Sequence, residues 1–162
     1  LSHPREHNGS LRKLSWEQGV DSSKSSYAVG TETVSICLRG QADLEEALLG
    51  ACRSLARSSL TVRLDSLGRR HDLKWSKLRV GNQRSRWGSC SESGTISLNW
   101  RLILLPYELG NYVLCHELAH LEHLNHSASF WQFLEQLVKG SKALDHRLKV
   151  EGKSVMGFAQ RH

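Results

Sequence analysis

His116-Glu117-Leu118-Ala119-His120, followed by Asn125-His126-Ser127, is the stretch on which the reading of this 162-residue chain turns. His116 and His120 are four residues apart, so in a helix their imidazoles lie on one face, one turn above the other. Two neutral imidazoles so placed can share one Zn2+, each nitrogen at about 2.0–2.1 Å. Glu117 is rotated about 100° from His116. It can approach a water on that metal without being forced to ligate, which is the arrangement of a general base in metal-assisted hydrolysis.

A catalytic zinc centre takes three protein ligands and keeps one position open. His126 lies six residues past His120, and in an unbroken helix it would point about 240° away. The helix therefore has to stop between them. Asn125 suits the break, because Asn tolerates the left-handed conformation that ends helices. Ser127 is then placed to cap a following helix that carries Phe130, Phe133, Leu134 and Leu137. His126 is the expected third ligand, with Glu135 and His146 as alternatives. A His-Glu-x-x-His match also arises by chance. Here it sits among the apolar helix residues Leu109, Val113, Leu114, Leu118 and Leu121, with a break and a further histidine downstream.

Outward from this core, Pro106 predicts the start of a helix running to about 124. A shorter helix follows over about 128–139, ending near Gly140. Upstream, Leu78 and Val80 alternate with Lys77 and Arg79. A run of turn formers, Gly88 to Gly94, separates them from Thr95-Ile96-Ser97-Leu98-Asn99. This predicts a small antiparallel sheet. Asp43 reads as an N-cap for a helix carrying Leu44, Leu48, Ala51, Cys52 and Leu55. A second helix carries Leu60, Leu64 and Leu67 to Gly68, and the two are expected to pack as a pair. Val34, Ile36 and Leu38 alternate within 27–38 and predict a strand. The aliphatic run Leu102 to Leu105 reads as the end of a core strand.

Residues 1–26 are rich in Ser and polar residues and are expected to be poorly ordered or a partial N-terminal segment. The metallohydrolase domain is expected over 27–150, with 151–162 a polar tail. The length fits one domain. Four cysteines without a C-x-x-C pair exclude a four-cysteine zinc site and read as free thiols in a reducing cytoplasm. No stretch approaches the roughly 20 apolar residues of a membrane helix, so no membrane partner is expected.

The motifs together carry a family resemblance. Val80 to Cys90, Thr95 to Arg101, His116 to His120, and Asn125 to Ser127 with Phe130-Trp131 resemble the YgjP-like metallopeptidases, relatives of the SprT-like and other minimal gluzincin-type peptidases. The resemblance spans about residues 43–140. It implies an α+β zincin-like fold with the active-site helix packed on a small sheet. It also implies that His116, His120 and His126 ligate zinc and that Glu117 is the catalytic carboxylate. In zincins the strand edge beside the helix lines the cleft and can pair with an extended substrate. On that analogy Arg86, Trp87 and Ser89 face the cleft. The competing reading puts Trp87 in the core and Arg86 in an ion pair. His123 and Tyr112 are candidate donors to a developing oxyanion, and Glu122 or Glu108 could orient a ligating imidazole. Cys90 reads as a buried thiol, with a latent ligand or redox switch as the alternative.

The expected function is a zinc-dependent metallopeptidase using one Zn2+, with Glu117 as general base and a peptide or protein as substrate. The alternatives are a zinc-dependent nucleotide phosphohydrolase or a zinc-stabilised, nucleic-acid-associated binding module. The second partner is suggested by segment 63–86. Its eight Lys and Arg against Asp65 and Asp72 equal the chain's whole net charge of +6. Trp75 and Trp87 are interleaved for stacking on nucleic acid.

Overall fold

A computed structural model describes the backbone of residues 13–19, 26–29, 33–39 and 44–160, and the side chains of residues 45–160. One 27-residue helix, α1 (Leu44–Arg70), forms the back of the fold where two helices are expected. Nothing between Leu55 and Leu60 ends it. The hydroxyls of Ser58 and Thr61 donate back to the carbonyls of Ser54 and Arg57, at 3.3 and 2.6 Å. Their competition for the backbone is thus absorbed within the helix. Leu48, Cys52, Leu55, Ala56, Leu60, Leu64 and Leu67 make one continuous buried stripe. Asp43, the expected cap, lies outside the described residues.

Strands β1 (Lys13–Gly19), β2 (Ser26–Val29) and β3 (Thr33–Arg39) form one sheet. Its central strand β3 is parallel to β1 and antiparallel to β2. β3 is the strand expected from Val34, Ile36 and Leu38. β1 falls within the stretch expected to be poorly ordered.

The second sheet positions the site. It consists of β4 (Lys77–Gly81), β5 (Gly88–Cys90) and β6 (Thr95–Asn99) in the order β4-β6-β5. β5 and β6 form the expected hairpin, with Gly94 at φ 80° in the turn. β4, however, runs parallel to β6, so the sheet is mixed rather than antiparallel. The reason is the connection 82–87, which crosses the end of β6 instead of folding back beside β4. The buried Asn99 holds that crossing. Its Nδ2 donates to the carbonyls of Gln83 at 2.9 Å and Arg86 at 3.0 Å, and its backbone N–H donates to the Trp87 carbonyl at 2.8 Å.

Asn99 also caps the next element. Its Oδ1 accepts from the Arg101 backbone N–H at 3.1 Å, opening a buried 3-10 helix over Trp100–Leu104. The aliphatic run from Leu102 is therefore a helical turn in the core, not a strand end. Pro106 then starts α2 (Tyr107–Ala119), as expected. α3 (Ala128–Leu137) and α4 (Ser141–Met156) complete the fold. α4 runs past the expected domain end and buries Gly152 and Val155. Beyond it the chain turns back onto buried Arg101, whose Nε donates to the Phe158 carbonyl at 2.6 Å. Among the described residues, no helix is long and apolar enough to cross a membrane.

Candidate metal centre

α2 ends at Ala119, a turn earlier than its apolar pattern suggests. Tight turn bonds connect the N–H groups of Leu121, Glu122 and His123 to the carbonyls of Leu118 and Ala119. Asn125 does not take the left-handed conformation expected of it; among the described non-glycine residues only Asp72 and Ala159 have positive φ. The break is made instead by the turn at 120–123, and His120 locks it. Its Nδ1 lies 2.9 Å from the His123 carbonyl. Ser127 caps α3 as expected, accepting from the Phe130 N–H at 3.3 Å.

The result is convergence. The Nε2 atoms of His116 and His126 are 3.0 Å apart, and those of His120 and His126 are 3.1 Å apart. The three histidines are the group of possible metal ligands found among the described residues. The ring of buried Phe130 stacks on His120 at 4.6 Å and meets the rings of His116 and His126 edge-on at 5.0 and 4.9 Å. It forms an apolar floor to the cluster, a role its place in the α3 core pattern does not reveal. His126 is exposed, so the cluster opens to solvent on that side.

The donor set fits a cation. The His123 carbonyl can only accept, so His120 carries its proton on Nδ1 and turns a lone pair inward from Nε2. The phenol oxygen of Tyr112 lies 3.3 Å from Nδ1 of His116 and donates its proton to Asp145 Oδ1 at 3.0 Å. Nδ1 of His116 must then donate, and its Nε2 also presents a lone pair. Two inward lone pairs facing a third imidazole call for an electrophile. Burial, with the neighbouring His120 and His126, pushes His116 down to about 4, so it stays neutral and able to ligate. Burial also lowers His120, against the opposing bond to the His123 carbonyl.

Glu117 is buried on the face of α2 that meets β5. Burial pushes its carboxyl up to about 8. Space for it comes from Gly88, where a Cβ would stand 2.8 Å from both Cγ and Oε1 of Glu117. Gly88 and Cys90 share the sheet face of their partners Leu98 and Ile96, towards α2. The Cys90 thiol is pushed up to about 11 by burial and then by the Glu117 carboxylate, and it donates to the Ser91 carbonyl.

Other expected site residues lie elsewhere. Ser89 alternates onto the opposite, exposed sheet face, away from Glu117. Trp87 packs on α4, where a Cβ at Gly152 would stand 2.9 Å from its ring. Arg86 is exposed and has no ion pair among the described residues. Tyr112 stands behind His116 rather than in the cleft, and the His123 ring lies against Phe133 at 5.3 Å. Glu108 is taken by Arg147 at 2.6 Å, and Glu122 is exposed. Glu135 accepts from the backbone of Gly140 and Ser141 at the start of α4, while His146 is exposed on that helix. The carboxylate behind His116, Asp145, is 33 residues from Tyr112 in sequence. No local spacing signals it.

A family model described as YgjP-like, metallopeptidase domain, matches residues 6–151. No curated protein matches the chain. Among solved structures, the metallopeptidase zymogen of Pyrococcus abyssi abylysin is similar at 27% identity and a TM-score of 0.51, covering 56% of this chain and 92% of its own. The metallopeptidase zymogen of Methanocaldococcus jannaschii jannalysin has 20% identity and a TM-score of 0.48, covering 57% and 94%.

Proposed function

The chain belongs to the YgjP-like metallopeptidase family and is a zinc metallopeptidase, and from that premise we propose that His116, His120 and His126 hold a single Zn2+ while Glu117 is the general base of peptide-bond hydrolysis. The observation that carries this reading is the convergence of three Nε2 atoms at the end of the helix that also carries the buried carboxyl of Glu117.

Zinc, when bound, supplies a Lewis acid that polarises the scissile carbonyl and lowers the pKa of a water ligand to about 7. Glu117 takes the proton of the attacking water and returns it to the leaving amine. Its burial keeps bulk water away from it. β5 lies beside Glu117 at the sheet edge and pairs, among the described residues, only with β6. Its free side suits an extended peptide added as a further strand.

The test is a parallel assay of casein, a short peptide and a nucleoside triphosphate on wild type and Glu117→Gln. The variant keeps its zinc and loses peptide hydrolysis by about 100-fold or more. Peptide hydrolysis at the wild-type rate refutes the role of Glu117. Hydrolysis of the triphosphate alone moves the substrate to nucleotides.

Nucleic acid is a second partner in this reading, on narrower ground than the sequence offers. Arg63 is buried and bound to Asn111 and Tyr107, and Arg69 pairs with Asp65. Arg70, Lys74, Lys77, Arg79, Arg84 and Arg86 remain exposed without an ion pair among the described residues. Salt-dependent binding of single-stranded DNA, weakened by substituting Arg84 and Arg86, supports this partner; binding indifferent to both removes it. Cys52, Cys90 and Cys115 are free thiols, which supports a cytoplasmic location.

A further inference from the structure

We infer that Tyr112 and Asp145 are a positioning relay, reaching from α4 through α2, that fixes the tautomer and orientation of His116 and so sets how tightly zinc is held. This rests on the reading of His116 as a ligand. The phenol has one proton, and the geometry gives it to Asp145 Oδ1 at 3.0 Å. Towards His116 the phenol oxygen, 3.3 Å from Nδ1, therefore offers only lone pairs. The imidazole is left with one way to bond: Nδ1–H outward, Nε2 bare and aimed at the cluster.

The far end of the relay is anchored. Asp145 Oδ2 lies 2.7 Å from the Lys149 ammonium one turn along α4, so both carboxylate oxygens are engaged. Burial raises the Asp145 carboxyl, but the bonds from Lys149 and Tyr112 outweigh it and hold the group below its ordinary range. Tyr112 is 1% exposed. With its one proton given to Asp145, the chain of donors has one direction. Inserting a neutral phenol between carboxylate and imidazole has a further effect. It orients the ring while keeping a full negative charge one side chain farther from the metal than direct Asp–His contact would.

His120 is oriented by a carbonyl three residues away, whereas His116 depends on a separate helix. Partners of this kind contribute about 10–100-fold to metal affinity.

The experiment measures zinc affinity by chelator competition for wild type, Tyr112→Phe, Asp145→Ala, Asp145→Asn and His116→Ala, with Glu151→Gln as a control elsewhere on α4. Far-UV circular dichroism is recorded alongside, and nitrogen NMR reports the His116 tautomer in the zinc-free protein. Tyr112→Phe and Asp145→Ala are expected to weaken zinc binding about 10–100-fold and to mix the tautomers, with helicity unchanged. Asp145→Asn, whose amide oxygen still accepts from the phenol, recovers most of the loss. Affinity within twofold of wild type for Tyr112→Phe, with the tautomer intact, overturns the relay. Unchanged affinity in His116→Ala overturns the ligand assignment beneath it instead. Should Asp145→Ala fail to fold, Tyr112→Phe preserves the ring and decides the matter.

Discussion

Gly88 and Glu117 meet so closely that a β-carbon on the first would stand 2.8 Å from both Cγ and Oε1 of the second. Gly88→Ala therefore displaces the carboxyl while leaving the imidazoles untouched. The expected outcome is full zinc content with kcat/KM for a peptide down about 100-fold, the loss that a roughly 1 Å misplacement brings. Atomic emission for zinc and a fluorogenic peptide assay check it. Activity near wild type would mean that Glu117 has room to spare.

Two residues that compete with His126 for the third ligand position are engaged or remote. His126→Ala is expected to lose zinc. Glu135→Gln and His146→Ala are expected to keep it, because Glu135 binds the backbone at the start of α4 and His146 points to solvent. Glu135→Gln lowers the melting temperature alone, since the weakened helix start lies away from the cluster. Zinc loss in Glu135→Gln with zinc retained in His126→Ala would reverse the assignment.

Asn99→Ala removes the donor shared by the Gln83 and Arg86 carbonyls and the cap on the Arg101 N–H. Buried groups left without partners cost about 1–3 kcal/mol each, so a loss of about 2–4 kcal/mol is expected in urea unfolding. A loss below about 1 kcal/mol, the net worth of a single hydrogen bond, would show that water replaces the amide and that the crossing 82–87 holds itself.

Burial pushes Cys52 up to about 12 and Cys115 up to about 11, and burial together with Glu117 brings Cys90 to about 11. At about pH 8 Cys90 and Cys115 carry on the order of a hundredfold less thiolate than a free thiol, and Cys52 on the order of a thousandfold less. Iodoacetamide labelling, followed peptide by peptide, should be slow at all three and accelerate as pH rises towards 11. The unfolded chain ionises these thiols first, so stability falls as pH climbs above about 9. Fast labelling of Cys90 near neutral pH would instead mark it as reactive.

What could be read in advance was what local spacing encodes. The four-residue step from His116 to His120, the cap at Ser127 and the proline opening α2 are all short-range signals, and each stands where expected. The departures have a common cause. The continuity of α1 depends on hydroxyls satisfied by their own helix. The parallel pairing of β4 depends on where the crossing 82–87 is tied, and the tie is Asn99 on another strand. α2 stops short of its expected end because the turn is secured by the His120 side chain and not by a left-handed Asn125. Gly88 reads as a turn former in sequence, while its function in the fold is to yield space to the distant Glu117.

The contact between Tyr112 and Asp145 has a consequence in time as well as in space. Translation delivers all three imidazoles and Glu117 before any residue of α4 has been made. A nascent chain that stops short of Ser141 has its full set of nitrogens but lacks the carboxylate behind His116 and the glycine on which Trp87 rests. The support behind His116 is thus completed only when the last helix emerges and docks, and a growing or prematurely terminated chain carries its histidines without it.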